Sequence, residues 1–208
     1  MRGAHISFIP MGVVNMPIER KPEIIVFAGP NGSGKSTVTQ LVDIVRPYIN
    51  ADDIKRERSC SDLEAAQYAD ALREEMLAAK SDFTFETVLS TDAKLDFLRK
   101  AKAHGYFVKG FFVLTADPRV NVIRIEARVA TGGHDVPTEK IVSRYEKSLQ
   151  RVPQFVALCD VCHIYDNTTQ ETVRIFKKTK SAEYRVWPSA FWTAERIREL
   201  VGIPSDDI

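Results

Sequence analysis

The chain is short of cysteine, of surplus charge and of long apolar runs, and each shortage removes a class of protein. Three cysteines in 208 residues are too few to staple a chain this long, so a disulfide scaffold is excluded and a reducing compartment is expected. Lys and Arg number 29 against 28 Asp and Glu, a net charge of +1. Nucleic acid is therefore not expected as a partner held mainly through its phosphates. A membrane-spanning helix needs about 20 consecutive apolar residues, and no stretch reaches that length. The apolar run over 6–18 is broken by Pro10, Gly12, Asn15 and Pro17 and lacks a small-residue cleavage site, so it does not read as a signal peptide. Residues 1–20 are expected to be an N-terminal extension, with Met11 and Met16 as alternative starts, and the protein is expected in the cytoplasm. A hydrophobic content of 44% with 27% charged residues is that of a globular chain, neither disordered nor fibrous.

What is present is an alternation of strands and helices. Segments 23–28, 83–89, 106–115, 161–165, 173–178 and 182–187 read as strands, the first through the continuous apolar run Ile24-Ile25-Val26-Phe27. Helices are expected after residue 34 to about 45, then over 62–80, 92–104, 117–130, 138–159 with a bend or break at Pro153, and 189–201. In the helix over 62–80 the apolar stripe is read as Leu63, Ala66, Ala69, Leu72 and Met76. The pattern predicts one three-layer α/β domain over 21–208, with a mainly parallel sheet and a helical lid over about 117–152.

The first strand runs into Gly29-Pro30-Asn31-Gly32-Ser33-Gly34-Lys35-Ser36-Thr37. Gly29, Gly34, Lys35 and Ser36 complete the pattern G-x-x-x-x-G-K-[ST] between a strand and a helix. Glycines let such a loop wrap closely and aim successive backbone N–H groups at phosphate oxygens. Asn31, Gly32, Ser33 and Thr37 lie on the same cradle, and the helix that follows adds its positive end. Lys35 would reach the β- and γ-phosphates, and the Ser36 hydroxyl would ligate Mg²⁺. ATP or GTP binding follows. Transporter-type ATPases share this loop but need a Leu-Ser-Gly-Gly-Gln-like segment and an apolar strand ending in Asp-Glu. Neither occurs here.

Three further stretches, Asn50-Ala51-Asp52-Asp53, Phe85-Glu86-Thr87, and Arg124 with Arg128 followed by Gly132-Gly133-His134-Asp135-Val136-Pro137, resemble the zeta toxin family of P-loop kinases over about 23–167. The resemblance implies a P-loop kinase fold, ATP and Mg²⁺ as cofactors, and transfer to the amino-sugar 3′-hydroxyl of UDP-N-acetylglucosamine or a related UDP-sugar. It also implies a separate antitoxin polypeptide that blocks the nucleotide site. By the same resemblance Asp52 is the catalytic base, with Asp53 in reserve. Glu86 would bind the acceptor sugar, with Asn50, Thr87 and Thr91 nearby.

The chemistry of the residues agrees. A kinase needs a group to take the proton of the attacking hydroxyl, and Asp52 follows a short strand beside the loop, although Asn50 and Asp52 would also serve as helix caps. Glu86 sits in the apolar run Phe83-Thr84-Phe85-Glu86-Thr87-Val88-Leu89, where an ionised group needs a partner unless one edge is wet; a role beside Mg²⁺ is the alternative. Arg124 and Arg128 share a helix face, and Arg144 comes from the next helix. Closing over ATP, they would meet the charge spread over the transferring phosphoryl. A Gly-Gly-His segment stands near where the toxins carry a further arginine, which makes His134 a candidate substitute. Asp166 and Asn167 end a strand where they would either contact adenine or its surrounding loop, or make a simple turn. Other readings with the same loop stay open: a kinase for a nucleoside, an antibiotic or an RNA end, or a nucleotide-dependent switch or antitoxin-binding module without turnover.

Two patterns are set aside. Cys159-Asp160-Val161-Cys162-His163 matches haem attachment, but its position between a helix end and a core strand favours buried thiols. Phe111, Phe112, Trp187, Phe191 and Trp192 are read as packing residues.

Overall fold

The computed structural model describes residues 20–133 and 135–204. His134 and most of the expected N-terminal extension lie outside the described residues. Among the described residues seven strands form one sheet: β1 (Glu23–Ala28), β2 (Tyr48–Ile49), β3 (Phe83–Thr87), β4 (Phe107–Leu114), β5 (Val161–Asp166), β6 (Val173–Lys178) and β7 (Tyr184–Val186). Their order is β2-β3-β1-β4-β5-β6-β7. The first five are parallel, and β6 and β7 are added antiparallel. β1 lies between β3 and β4, with Ile24 opposite Phe83 and Val108. This central place explains its unbroken apolar run, since both of its faces are covered.

The helices are α1 (Lys35–Thr39), α2 (Ala51–Arg58), α3 (Asp62–Ala78), α4 (Ala93–Ala103), α5 (Pro118–Ala130), α6 (Thr138–Leu149), α7 (Val152–Leu158) and α8 (Ala194–Val201). The larger core lies on the sheet face carrying Ile24, Val26, Phe83, Phe85, Phe112 and Ile164, where Leu77, Leu98, Phe155 and Ile197 pack from α3, α4, α7 and α8. The opposite face carries a smaller core of Ile25, Phe27, Val38, Phe111 and Val113. α5 and α6 form a hairpin with its own apolar seam of Ile125, Val136 and Ile141. It is tied to the sheet ends where Tyr145 donates to the Thr115 carbonyl (2.6 Å) and Ser148 donates to the Val88 carbonyl (2.8 Å).

Several expectations shift. α1 stops at Thr39 rather than near 45. The Thr39 hydroxyl bonds back to the Lys35 carbonyl (3.0 Å), and Val42, Ile44 and Val45 leave the helix to cover the smaller core. α2 was anticipated only through the capping alternative for Asn50 and Asp52; its eight residues carry mostly charge and bury none, so no apolar period marks it. The helix expected over 138–159 is two helices that part at Gln150-Arg151, with Pro153 tolerated in the first turn of α7. The last helix starts at Ala194 instead of 189, capped by Thr193. Trp187 and Phe191, expected to pack inside, are exposed, whereas Phe111, Phe112 and Trp192 are buried.

α3 holds the most consequential shift. Its buried stripe is Ala65, Ala69, Arg73 and Leu77, spaced by four, while Leu63 and Leu72 face solvent. Choosing the large apolar residues rotated the expected face. The face that meets the sheet is instead lined by alanines and carries one arginine.

Candidate active site

The loop after β1 takes the shape its glycines allow. Gly29, Gly32 and Gly34 have φ of +140°, +76° and +88°, values that L side chains rarely adopt. At Gly34 a side chain would also overlap the Asn167 amide. The Lys35 ammonium is buried and donates to the carbonyls of Gly29 (2.9 Å) and Pro30 (3.2 Å). It also lies 3.5 Å from a carboxylate oxygen of Glu86. Because α1 is little more than one turn, the loop's own N–H groups rather than a long dipole would supply most of the field for an anion.

Two neighbours clamp this loop that sequence reasoning did not assign to it. Asn121, fully buried on α5, donates to the Asn31 carbonyl (2.6 Å) and accepts from the Thr115 hydroxyl. Asn167, at the end of β5, donates to the Ser33 carbonyl (2.8 Å) and accepts from Thr172 (2.6 Å). Asp166 accepts from the backbone N–H (3.0 Å) and the hydroxyl of Thr168, and from Ser189 (2.9 Å). At the end of β5, Asp166 makes a turn with Thr168 while Asn167 braces the phosphate loop. A buried asparagine in an amphipathic helix was the only available signal for Asn121.

Glu86 is an interior residue, since β3 lies between β2 and β1, and the wet-edge alternative fails. Its carboxylate accepts from the Tyr48 hydroxyl (2.8 Å) and the Asn50 amide (3.3 Å). Burial, followed by the Glu86 charge, pushes the Tyr48 phenol above its ordinary range, so it keeps its proton and serves as a donor. Asn50 does double duty: its amide oxygen accepts from the Asp52 N–H (2.8 Å), capping α2. Capping and site placement therefore coexist, and the cap holds Asp52 in the first turn of α2. Asp53 is ion-paired to Arg56 (2.6 Å).

Two clefts open over these groups, of about 830 and 310 Å³. Gly32, Lys35, Asn50, Asp52, Glu86 and Arg128 line both. The larger cleft adds Gly34, Ser36, Asp53 and Arg124. The smaller adds Asn31, Thr87, Arg73, Lys94 and Arg144. Arg124 donates to the carbonyls of Thr169 (3.0 Å) and Thr168 (3.4 Å), and burial lowers its pKa while Asp166 opposes the shift. Arg144 lines the smaller cleft and donates to the Asn31 side chain of the phosphate loop (3.3 Å). Gly133 lets the hairpin turn lie against Arg128, whose Cγ would stand 2.5 Å from a β-carbon there. Gly29, Ser33 and Thr37 shape the loop without lining either cleft, and Thr91 is exposed outside both.

The oxygen donors suit a hard cation. Ser36 lines the larger cleft with Asp52 beside it; the Ser36 hydroxyl is the donor that fits Mg²⁺ shared with nucleotide phosphates, while the Asp53 carboxylate is taken up by Arg56. No group of three His, Cys, Asp or Glu able to hold a metal occurs among the described residues.

A mostly parallel sheet with a glycine loop after its central strand, a buried lysine and a helical hairpin over the strand ends defines a P-loop kinase fold. The model of the zeta toxin family matches residues 43–181, and the chain belongs to that family. The match holds Asp52, Glu86, Arg124, Arg128 and Arg144 but begins after the phosphate loop. An uncharacterised protein of Haemophilus influenzae is 29% identical over 127 residues, 58% of this chain and 91% of its own length. Among solved structures, the AvrRxo1-ORF1:AvrRxo1-ORF2 complex with sulphate ions gives a TM-score of 0.64 at 15% identity, over 87% of this chain and 64% of that one. The PezAT chromosomal toxin–antitoxin system of Streptococcus pneumoniae gives 0.56 at 17% identity, over 87% of this chain and 78% of that one. At such identities the likeness is one of fold.

Proposed function

We propose that this protein is an ATP- and Mg²⁺-dependent phosphotransferase acting on a hydroxyl of a small molecule, with UDP-N-acetylglucosamine or a related UDP-sugar as the acceptor. One observation carries the reading: the two clefts share Lys35, Asp52, Glu86 and Arg128 at their junction. A nucleotide in the larger cleft and an alcohol in the smaller would meet there, as transfer in line requires. Mere nucleotide binding needs no second cleft and no carboxylate beside the loop.

Bound ATP supplies the phosphoryl group, and Mg²⁺ at Ser36 would offset its charge. Asp52 takes the proton of the acceptor hydroxyl. Glu86, held by Tyr48 and Asn50, holds the acceptor by accepting from another of its hydroxyl or amide groups, which orients the reacting hydroxyl towards Asp52. Lys35 leaves its loop carbonyls to meet the phosphates, while Arg128 and Arg124 stabilise the charge in flight. The α5–α6 hairpin acts as a lid that excludes water. A separate antitoxin polypeptide is part of this reading. It draws on the family and on the fold shared with the PezAT and AvrRxo1 complexes.

The test is single turnover with ATP, Mg²⁺ and UDP-N-acetylglucosamine. Phosphorylated sugar is expected, and Asp52→Ala should slow transfer by about 10²–10⁴-fold with nucleotide affinity kept. Absence of phosphorylated sugar with the unaltered protein rules out that acceptor. Equal transfer by Asp52→Ala removes Asp52 as the base.

A further inference from the structure

The smaller cleft ends in a charged cluster that the transfer chemistry does not use. Arg73 lies in the buried stripe of α3 and is only 4% exposed. One of its terminal nitrogens is paired with Asp70 one turn earlier, and its plane sits over the Phe85 ring at 5.3 Å. Its Nε is buried without a hydrogen-bond partner. Lys94, in the first turn of α4, pairs with the same Asp70 oxygen. All three residues line the cleft that contains Asp52 and Glu86. Ala65, Ala66 and Ala69 line it as well, so no bulky side chain from that stretch of α3 stands between the cluster and the reacting end.

The charge does not balance. Two cations share one carboxylate, which leaves one positive unit at the cleft wall, and burying an arginine with an unmet donor is costly unless something meets it. Nearby charges fit this picture. Burial would raise the Asp70 carboxyl, but its bonds to Lys94 and Arg73 bring it below the usual range. Burial and the neighbouring Arg73 lower the Lys94 ammonium. An oxyanion entering here would give both cations a second partner. At the other end of the cleft Asp52 and Glu86 stand with Lys35, Arg128 and Arg144, so the Arg73–Lys94 cluster is a second cationic group, set apart from the one at the phosphate loop.

We infer that Arg73 and Lys94 are the specificity-determining pair of the acceptor site, holding an oxyanion of the acceptor, phosphate ester or carboxylate, while its hydroxyl is presented to Asp52. The inference rests on the kinase reading for the word acceptor, but the binding it describes is measurable without turnover.

The full-length protein is saturated with a non-hydrolysable ATP analogue and Mg²⁺, so that the phosphate loop is filled. It is then titrated calorimetrically with UDP-N-acetylglucosamine, N-acetylglucosamine 1-phosphate, glucuronate and uncharged N-acetylglucosamine. At least one anionic sugar should bind more tightly than the uncharged one. Lys94→Gln should weaken that binding by about tenfold or more, and Arg73→Gln by at least as much, without changing affinity for the uncharged sugar. Asp70→Asn should tighten it, because the competing carboxylate charge is gone. A purely structural tie between α3 and α4 would not produce that gain. Comparing the 1-phosphate with glucuronate tells which oxyanion is read.

If no anionic probe outbinds the uncharged sugar, or if Lys94→Gln lowers the melting temperature but leaves anion affinity unchanged, the inference is overturned. Anion-dependent binding without phosphotransfer would instead sink the kinase reading and keep the pair. Phosphotransfer to UDP-N-acetylglucosamine with an unaltered KM in Lys94→Gln would sink the pair and keep the kinase reading.

Discussion

Asn167→Ala is the most informative perturbation of the nucleotide loop. The Asn167 side chain spans two elements: its amide nitrogen donates to the Ser33 carbonyl at 2.8 Å and its oxygen accepts from Thr172 at 2.6 Å. Thr172 is only partly buried and can turn to water, but Ser33 is fully buried. Truncation therefore leaves the Ser33 carbonyl unmet, at a cost of about 1–3 kcal/mol. With the void left by the amide, the loss is roughly 2–3 kcal/mol. In a chain of this size that corresponds to a fall in melting temperature of about 4–12 °C. The freed loop must also be ordered by the nucleotide, so ATP affinity should fall in step, and saturating ATP should recover part of the lost melting temperature. Asn167→Asp should be worse than alanine, because it sets a carboxylate oxygen against the Ser33 carbonyl beside the phosphate site. Calorimetry with and without ATP reads all three. A melting temperature for Asn167→Ala within about 1 °C of the parent, with unchanged ATP affinity, would refute the clamp.

Further predictions use other parts of the molecule. Gly34→Ala should abolish nucleotide binding, since the site demands φ of +88° and the new carbon would overlap the Asn167 amide; wild-type ATP affinity in that variant would contradict the loop geometry. His163 stacks between Phe111 (5.2 Å) and Tyr165 (6.3 Å), and burial, with Arg174, Lys177 and Lys109 around it, lowers its pKa to about 4. The unfolded chain therefore binds the extra proton first, and stability should fall as pH drops from about 6.5 toward about 4. His163→Phe should flatten that part of the melting profile, and an unchanged slope would count against it. Gly110→Ala should cost about 1–3 kcal/mol in denaturant titration, because the added carbon meets Cys159 and lies 2.7 Å from the Phe155 ring. Native-state alkylation should reach Cys60 and spare Cys159 and Cys162, which are buried; burial also raises the Cys159 thiol. Labelling of all three at equal rates would contradict the packing.

Much of the fold was legible because it is written in local period. The apolar run of β1, the following glycines and Lys35, and the strands β4 and β5 were readable from neighbours a few residues apart. Elements without such a period were not. α2 has no buried residue, so only its Asn50 cap marked it. α3 showed a helical period, yet the size of Leu63 and Leu72 pointed to the wrong face. Exposed leucines are common enough that size is a weak guide to burial, and the alanine stripe with Arg73 became visible only once the sheet stood beside it.

By itself the sequence determined the class of chemistry. The spacing of Gly29, Gly34, Lys35 and Ser36 makes a phosphate cradle wherever a strand precedes it, because backbone N–H groups converge through local geometry alone. It also supplied Asp52, Glu86, Arg124 and Arg128 as candidates. Only the tertiary structure decided which of them meet. Glu86 reaches Lys35, Tyr48 and Asn50 because β3 is hydrogen-bonded between β1 and β2, a pairing of segments some 35 to 60 residues apart. Arg144 meets the phosphate loop at Asn31 and lines the smaller cleft, while Thr91 lines neither cleft. Arg73 entered the site, through α3 lying across the sheet edge. Covalent neighbours set what a loop can bind, whereas the relative charge and shape of two clefts depend on packing between distant elements.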